Sequence, residues 1–313
     1  MTHRISTITE CSVERVILRT LLYFEMFSYP LTEEEIWRFA HCEADEPESF
    51  MPEDTFREKL RALTGKGLVF RFQHFYQTRP IPEWAERRQE YNRRAEEMLP
   101  IARRMARLIA AFPYIRSVCV SGSLSKHSMR PDSDIDFFLI THPNRLWLAR
   151  TLLVVFKKIF LFNSHKYFCV NYFVDTRHLE IEEKNQFTAT EIITLLPMYG
   201  QEWYHAFCRK NAWAWRQFPL MPQRPVQEVP RHRRSWFKRS VEWMLNGRFG
   251  DWLDRQAMHV TVKFWRRKFS HFDDQTFGVA LKSRRYVSKH HPLYFQEKVL
   301  KHLAVRMRET GFE

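Results

Sequence analysis

Gly122-Ser123 and Asp134-Ile135-Asp136 stand ten residues apart, each joined to a short apolar run. Ser117-Val118-Cys119-Val120 leads into the first pair, and Phe137-Phe138-Leu139-Ile140 follows the second. Both runs have the length and composition of buried strands. Alternation along a strand puts Asp134 and Asp136 on one face and Ile135 on the other. Two carboxylates held side by side raise each other's pKa unless a cation lies between them. Hard cations take oxygen ligands, and Mg²⁺ is commonly held by one or two carboxylates plus substrate phosphates. Gly-Ser at a helix start suits the phosphate half of that task. Glycine lets the backbone approach an anion, the hydroxyl donates to it, and helix-terminal N–H groups point at it. Lys126 and Arg130, between the two halves, are the cations that could stand beside a bound phosphate. His127 reads as a surface residue, and Asp132-Ser133 as the turn before the strand.

Gly-Ser, this spacer and an Asp-x-Asp inside an apolar strand together resemble the signature of the DNA polymerase β-like nucleotidyltransferases. The resemblance covers about 25 residues. It implies that Gly122 and Ser123 bind the triphosphate of an NTP and that Asp134 and Asp136 hold Mg²⁺, with Mn²⁺ as the alternative. Such enzymes usually carry a third carboxylate on a strand facing the pair. The corresponding run, Tyr167 to Val174, has Asn171 at its middle, and period 2 places Asp175 on the same face. Asn171 can coordinate a metal through its amide oxygen but cannot accept a proton. Three possibilities stand: Asp175 or Glu180 supplies the charge, two carboxylates suffice, or nucleotide is bound without turnover.

The flanking elements must position these residues. A helix over 144–162 should connect the second and third strands. A long Arg/Glu-rich helix over 82–111 precedes the first, with expected i,i+4 pairs Glu83–Arg87 and Glu90–Arg94. Its apolar face, Leu99, Met105, Leu108 and Ile109, should lie on the sheet. Thr188 to Glu191 reads as a capping box for a helix over 189–196, with Glu191 a cap rather than a catalyst.

Before residue 82, three helices (12–27, 33–40 and 54–64, the second opened by the capping box Thr32-x-x-Glu35) and two strands (68–72 and 75–78) resemble a winged helix-turn-helix domain. An acidic loop over 42–52 separates the second and third helices. Residues 201–313 read as helical, with a Pro-rich linker from Pro219 to Pro230. The chain therefore divides into 1–81, 82–200 and 201–313. The expected fold class is α/β (α+β): a polymerase β-like core, a winged-helix module and a helical C-terminal region.

Charge is unevenly placed. Residues 1–100 are net −4, 101–200 net +5 and 201–313 net +13, and the last stretch holds seven of the ten tryptophans. A basic excess attracts polyanions such as RNA or acidic proteins. Arg231-His232-Arg233-Arg234 and Lys282-Ser283-Arg284-Arg285 with His290-His291 are the surface candidates. Trp236, Trp243, Trp252 and Trp265, at helical spacing, read as core. The N-terminal module is acidic, which favours protein contact or packing over DNA binding, since phosphate neutralisation dominates nucleic-acid affinity. Five scattered cysteines, Cys11, Cys42, Cys119, Cys169 and Cys208, imply core thiols rather than a zinc site or disulfide framework. No segment reads as a signal peptide or membrane span, so a cytoplasmic protein without a membrane partner is expected.

The function expected is Mg²⁺-dependent transfer of a nucleoside monophosphate from an NTP to a hydroxyl, with the acceptor, RNA or acidic protein among the candidates, docked on the basic C-terminal region. The alternative is a nucleotide- or RNA-binding regulator with a degenerate site. A DNA-binding regulator acting through the winged helix is a third reading, and the acidic N-terminal charge counts against it.

Overall fold

A six-stranded mixed sheet, in the order β7-β4-β5-β6-β9-β8, carries the candidate residues. The computed structural model describes residues 2–42, 52–161, 166–233, 235–290 and 295–311, with side chains from residue 13 onward. The acidic loop over 42–52, Cys11, Arg234 and His291 fall wholly or largely outside these. The N-terminal part comprises α1 (Thr2–Glu25), β1 (Leu31–Thr32), α2 (Glu33–Arg38), α3 (Glu53–Gly65), β2 (Phe70–Phe72) and β3 (Phe75–Gln77). The three short strands form their own sheet, ordered β1-β3-β2. The Thr32/Glu35 capping box is formed. The N-cap of α3 is Pro52, and Asp54 sits inside the first turn.

After α4 (Glu83–Ala110) come β4 (Ile115–Ser121), the single-turn α5 (Gly122–Ser125), β5 (Asp136–Thr141), α6 (Leu146–Phe160) and β6 (Cys169–Asp175). β4 and β5 are antiparallel, while β5 and β6 are parallel, joined through α6. α7 (Gln186–Thr194) leads to β7 (Leu196–Tyr199), which pairs with β4. α8 (Gln201–Lys210), α9 (Ala212–Gln217), α10 (Trp236–Met244), α11 (Gly247–Lys268) and α12 (Asp274–Ala280) follow. The hairpin β8 (Ser283–Arg284) and β9 (Val287–Lys289) and the helix α13 (Phe295–Thr310) close the chain.

Strand alternation separates two cores. Val118, Val120, Phe137, Leu139 and Phe173 pack with residues of α4, α6 and α11. Cys119, Phe138, Ile140 and Val174 pack on the other face with residues of α1, α3, α7, α8 and α13. The terminal regions both join this central part. The N-terminal part shares its core with the sheet, and Arg306 of α13 bonds Glu25 of α1 at 2.9 Å. The C-terminal region is not wholly helical: β9 extends the central sheet by pairing with β6. Lys282 of its basic run bonds Glu182 and Glu183 at 2.7 and 2.8 Å.

α4 docks mainly through small residues. Ala95, Ala102, Ala106, Ile109 and Ala110 are buried, while Leu99, Met105 and Leu108 pack at the margin. Along its surface Arg93 pairs with Glu97; Arg87 instead bonds the Glu83 carbonyl, and Arg94 bonds the carbonyl of Pro131. Arg88, seven residues before Ala95 and so on the alanine stripe, is buried. Among the described residues no helix is long and apolar enough to cross a membrane. Cys119, Cys169 and Cys208 are buried free thiols, as expected.

Candidate active site

Gly122 and Asp136 meet where β4 ends and β5 begins, since Ser121 is the register partner of Asp136. Gly122 has φ +68°, and a Cβ there would lie 2.7 Å from Asp136 Oδ2. Glycine is required twice over, by the left-handed backbone and by the carboxylate pressed against it. Asp136 shares the face of Phe138 and Ile140, whereas Ile135 is fully buried on the other. The Asp136 carboxyl is pushed up to about 7, first by burial and then by the negative charge of Asp134, with Glu191 adding to it. Asp134 and Asp136 are therefore neighbours, as their spacing predicts.

Glu191 was missed as a site residue. α7 is capped by Asn185, whose Oδ1 accepts from Thr188 N at 3.0 Å, so the expected capping box at Thr188 does not form. Glu191 falls in the body of the helix and is turned to the site, where its Oε1 accepts from Lys126 Nζ at 2.8 Å. Lys126 also bonds the Gly122 carbonyl at 3.1 Å. The signal lay in the sequence, since a helix starting at Asn185 places Glu191 beyond its first turn, where it cannot cap.

The third-strand expectations are corrected. Phe137 pairs with Val170 but Phe138 with Tyr172, which makes Asn171 the extra residue of a β-bulge. The bulge directs Asn171 at the pair, and its Nδ2 donates to Asp136 Oδ1 at 2.6 Å. Asn171 thus holds Asp136 as a donor, and its Oδ1 accepts from the Cys169 thiol at 3.2 Å. Asp175 lies at the far end of the strand pair, opposite Thr141. At about 3.3 Å per residue that is roughly 16 Å from the level of Asp136. Its Oδ1 accepts from Arg177 N, His178 N and the His178 ring at 2.8–2.9 Å, closing a turn. Glu180 is exposed and paired with Lys184 at 2.8 Å. Neither carboxylate joins the site.

Of the remaining candidates, Ser123 is half-buried in α5, and its carbonyl accepts from Lys126 N and Ser128 N at 3.0 and 3.1 Å. Arg130 is exposed and bonds the Phe27 carbonyl at 3.0 Å, turned towards the N-terminal helices. Two buried groups complete the surroundings. Burial pushes the Cys169 thiol up to about 12, with Asp136 and Asp134 adding to it. Lys157 of α6 is held below the usual lysine range by burial, against the pull of Cys169 and Asp134.

The turn that follows Gly122 is braced from outside. Tyr29 donates to the Lys126 carbonyl at 2.6 Å, and Arg88 donates to Tyr29 and to Glu35, each at 2.5 Å. Arg224, from the Pro-rich linker, donates to the Ser125 carbonyl at 2.9 Å. The N-terminal helices and the linker therefore both set where α5 sits. On α3 and just after it, Arg57 pairs with Glu33 and Glu53, and Lys66 with Glu14.

Among the described residues no group of three or more His, Cys, Asp and Glu side chains could hold an ion by itself. Asp134 and Asp136 do fit a hard cation in the chemistry of their donors. Two close carboxylates, with Glu191 behind them, leave a local negative charge that a divalent ion and substrate phosphates would together satisfy. No family model matches this chain, and neither a curated protein nor a solved structure is significantly similar to it.

Proposed function

We propose that this protein is a Mg²⁺-dependent nucleotidyltransferase of the polymerase β-like kind, moving a nucleoside monophosphate from an NTP to a hydroxyl. The observation that carries the reading is Asp136, seated against Gly122 beside Asp134 with its carboxyl pushed up to about 7. An anionic pair against a glycine turn is the arrangement that a metal–triphosphate needs.

Asp134 and Asp136 would hold the metal, which neutralises charge on the transferring phosphoryl group. Gly122 and Ser123 face the phosphates, and Lys126 is the cation next to them. Asn171 and Gly122 fix Asp136 from either side. Glu191 takes the role foreseen for a third carboxylate. The acceptor oxygen bonds to the α-phosphorus, the bond to the bridging oxygen breaks, and pyrophosphate leaves. The hydroxyl proton passes to Glu191 once the triphosphate has drawn Lys126 away from it. Positioning and charge neutralisation account for the rate. The N-terminal helices and three-stranded sheet act as a winged-helix-type module that braces the turn, in keeping with the pairing of Arg57 and Lys66.

One observation favours a second reading, a nucleotide-binding regulator without turnover: the contacts Asn171–Asp136 and Lys126–Glu191 satisfy the carboxylates within the chain. Pyrophosphate release from each of the four NTPs with Mg²⁺, with and without cell extract to supply an acceptor, separates the two. Release that disappears in Asp134→Ala/Asp136→Ala is expected. Nucleotide bound with no release under either condition would favour the regulator, and no nucleotide binding would sink both.

A further inference from the structure

The tryptophans expected in the core are, with one exception, on the surface. Trp265 is 3% exposed, but Trp236 is 79%, Trp243 82% and Trp252 53% exposed. They lie on α10 and α11, a helical hairpin turned at Gly247 and held from inside by Arg145, which bonds the Leu245 and Gly247 carbonyls. Phe237, Met244 and Phe249 are exposed on the same hairpin, and Phe249 stacks with Trp252 at 6.1 Å. Further along α11, Val260 and Phe264 are exposed as well. At 100° per residue, Phe249, Trp252, Val260 and Phe264 fall on one side of the outward face, interleaved with the exposed Lys263 and Arg267 and with Arg248, Arg255 and Arg266 along one border.

Charge on the hairpin is sorted between its faces. The acidic residues of 236–268 are Glu242, Asp251 and Asp254; Glu242 and Asp254 are buried, and the partly exposed Asp251 is taken up by an ion pair. Glu242 pairs with Arg116 at 2.8 Å, Asp251 with Arg145, and Asp254 accepts from Leu148 N at 2.9 Å. Lys238 also points inward, donating to the Ala110 and Ile115 carbonyls at 3.0 and 2.7 Å. Arg239, Arg248, Arg255, Lys263, Arg267 and Lys268 are exposed. The outward face therefore combines large rings and aliphatic groups with an excess of cations, of which Arg266 is paired with the exposed Asp274 at 2.9 Å.

We propose that this face docks on an anionic lipid surface. Rings and aliphatic side chains bordered by Arg and Lys are the composition of helices that lie in a membrane interface, and the cations are attracted to acidic headgroups. A second copy of the chain would bring like charges together. Base stacking needs rings aligned along a basic groove, whereas these are spread over two successive helices and include Met244 and Val260, which have no π-face to offer. The hairpin contacts the start of β4, through Ile115 and Arg116, whereas Gly122 follows its end. Seven strand residues separate the two by roughly 20 Å. Docking leaves the candidate active site facing water, so the proposal stands independently of the reaction assigned to that site.

The test is flotation of the full-length protein with vesicles of phosphatidylcholine alone and of phosphatidylcholine with phosphatidylglycerol. Wild type is expected to float with the anionic vesicles, to be released by salt, and to remain behind with the neutral ones. Trp243→Ala/Trp252→Ala should weaken partitioning about tenfold or more, and Arg248→Glu/Arg255→Glu about thirtyfold or more. All four side chains are exposed, and circular dichroism checks that each variant keeps its fold. Absence of flotation, or flotation undiminished in both variants, overturns the proposal. So does single-stranded RNA binding lost in these variants without vesicle binding, or a concentration-dependent dimer abolished by the tryptophan pair.

Discussion

Replacing Asp136 by Asn separates its charge from its shape. The carboxyl rises from an ordinary 3.8 to about 7 in the folded protein, so the folded state keeps its proton over a range where the unfolded chain has lost it. The sign follows directly. The native state binds more protons between about pH 4 and pH 7, and stability falls as pH rises through that window. At about 1.4 kcal/mol per tenfold, the ceiling is about 4 kcal/mol. Asp136 is only partly covered and Lys126 opposes the shift, so screening by water reduces the expected loss to about 2 kcal/mol. Asn keeps the size of the side chain and an oxygen for the Asn171 amide. Urea unfolding from pH 4.5 to pH 8 is therefore expected to find Asp136→Asn equal to or below wild type at the acid end and about 2 kcal/mol above it at pH 8. Mg²⁺ added at pH 8 should stabilise wild type and leave the variant unchanged. Parallel pH curves for the two proteins would refute the reasoning, because the carboxylate would then carry no penalty at this position.

Gly122→Ala forces a side chain into φ +68° and against Asp136 Oδ2; a loss of about 1–2 kcal/mol in urea unfolding is expected, together with loss of any Mg²⁺-dependent stabilisation. Glu191→Gln removes one of the charges that raise Asp136. The pH at which stability falls should therefore move downward, read by the same titration or by carboxyl carbon NMR shifts of Asp136. Glu242→Ala strands the Arg116 guanidinium, buried on β4, without its carboxylate; a cost of about 3–5 kcal/mol is expected, read as a lowered urea midpoint. Gly200→Ala sets a Cβ 2.1 Å from the Arg116 carbonyl at φ +74°, and should shift β7 away from β4, measurable as faster amide exchange at Val118 and Val120.

Local rules made much of this protein legible in its amino acids. Val118, Phe137 and Leu139 alternate with Cys119, Phe138 and Ile140, so the strands and their two faces follow from period 2. The Asp134/Asp136 pair, the Thr32 capping box and the long helix over 83–110 are equally local. Three features depended on contacts between distant residues. A bulge at Asn171 adds one residue to a strand without changing its composition and sets its amide against Asp136, while the parallel pairing of β5 and β6 leaves Asp175 at the far end. Glu191 is 55 residues from Asp136 in sequence, and its approach is set by how α7 packs against α9 and α13. The tryptophans of α10 and α11 have the spacing of a buried face, yet Lys238, Glu242 and Asp254 occupy the inward side because Ala110, Arg116 and Leu148 offer them partners there. Periodicity reports that a helix has two faces. Only the partners brought by the rest of the chain decide which of them is buried.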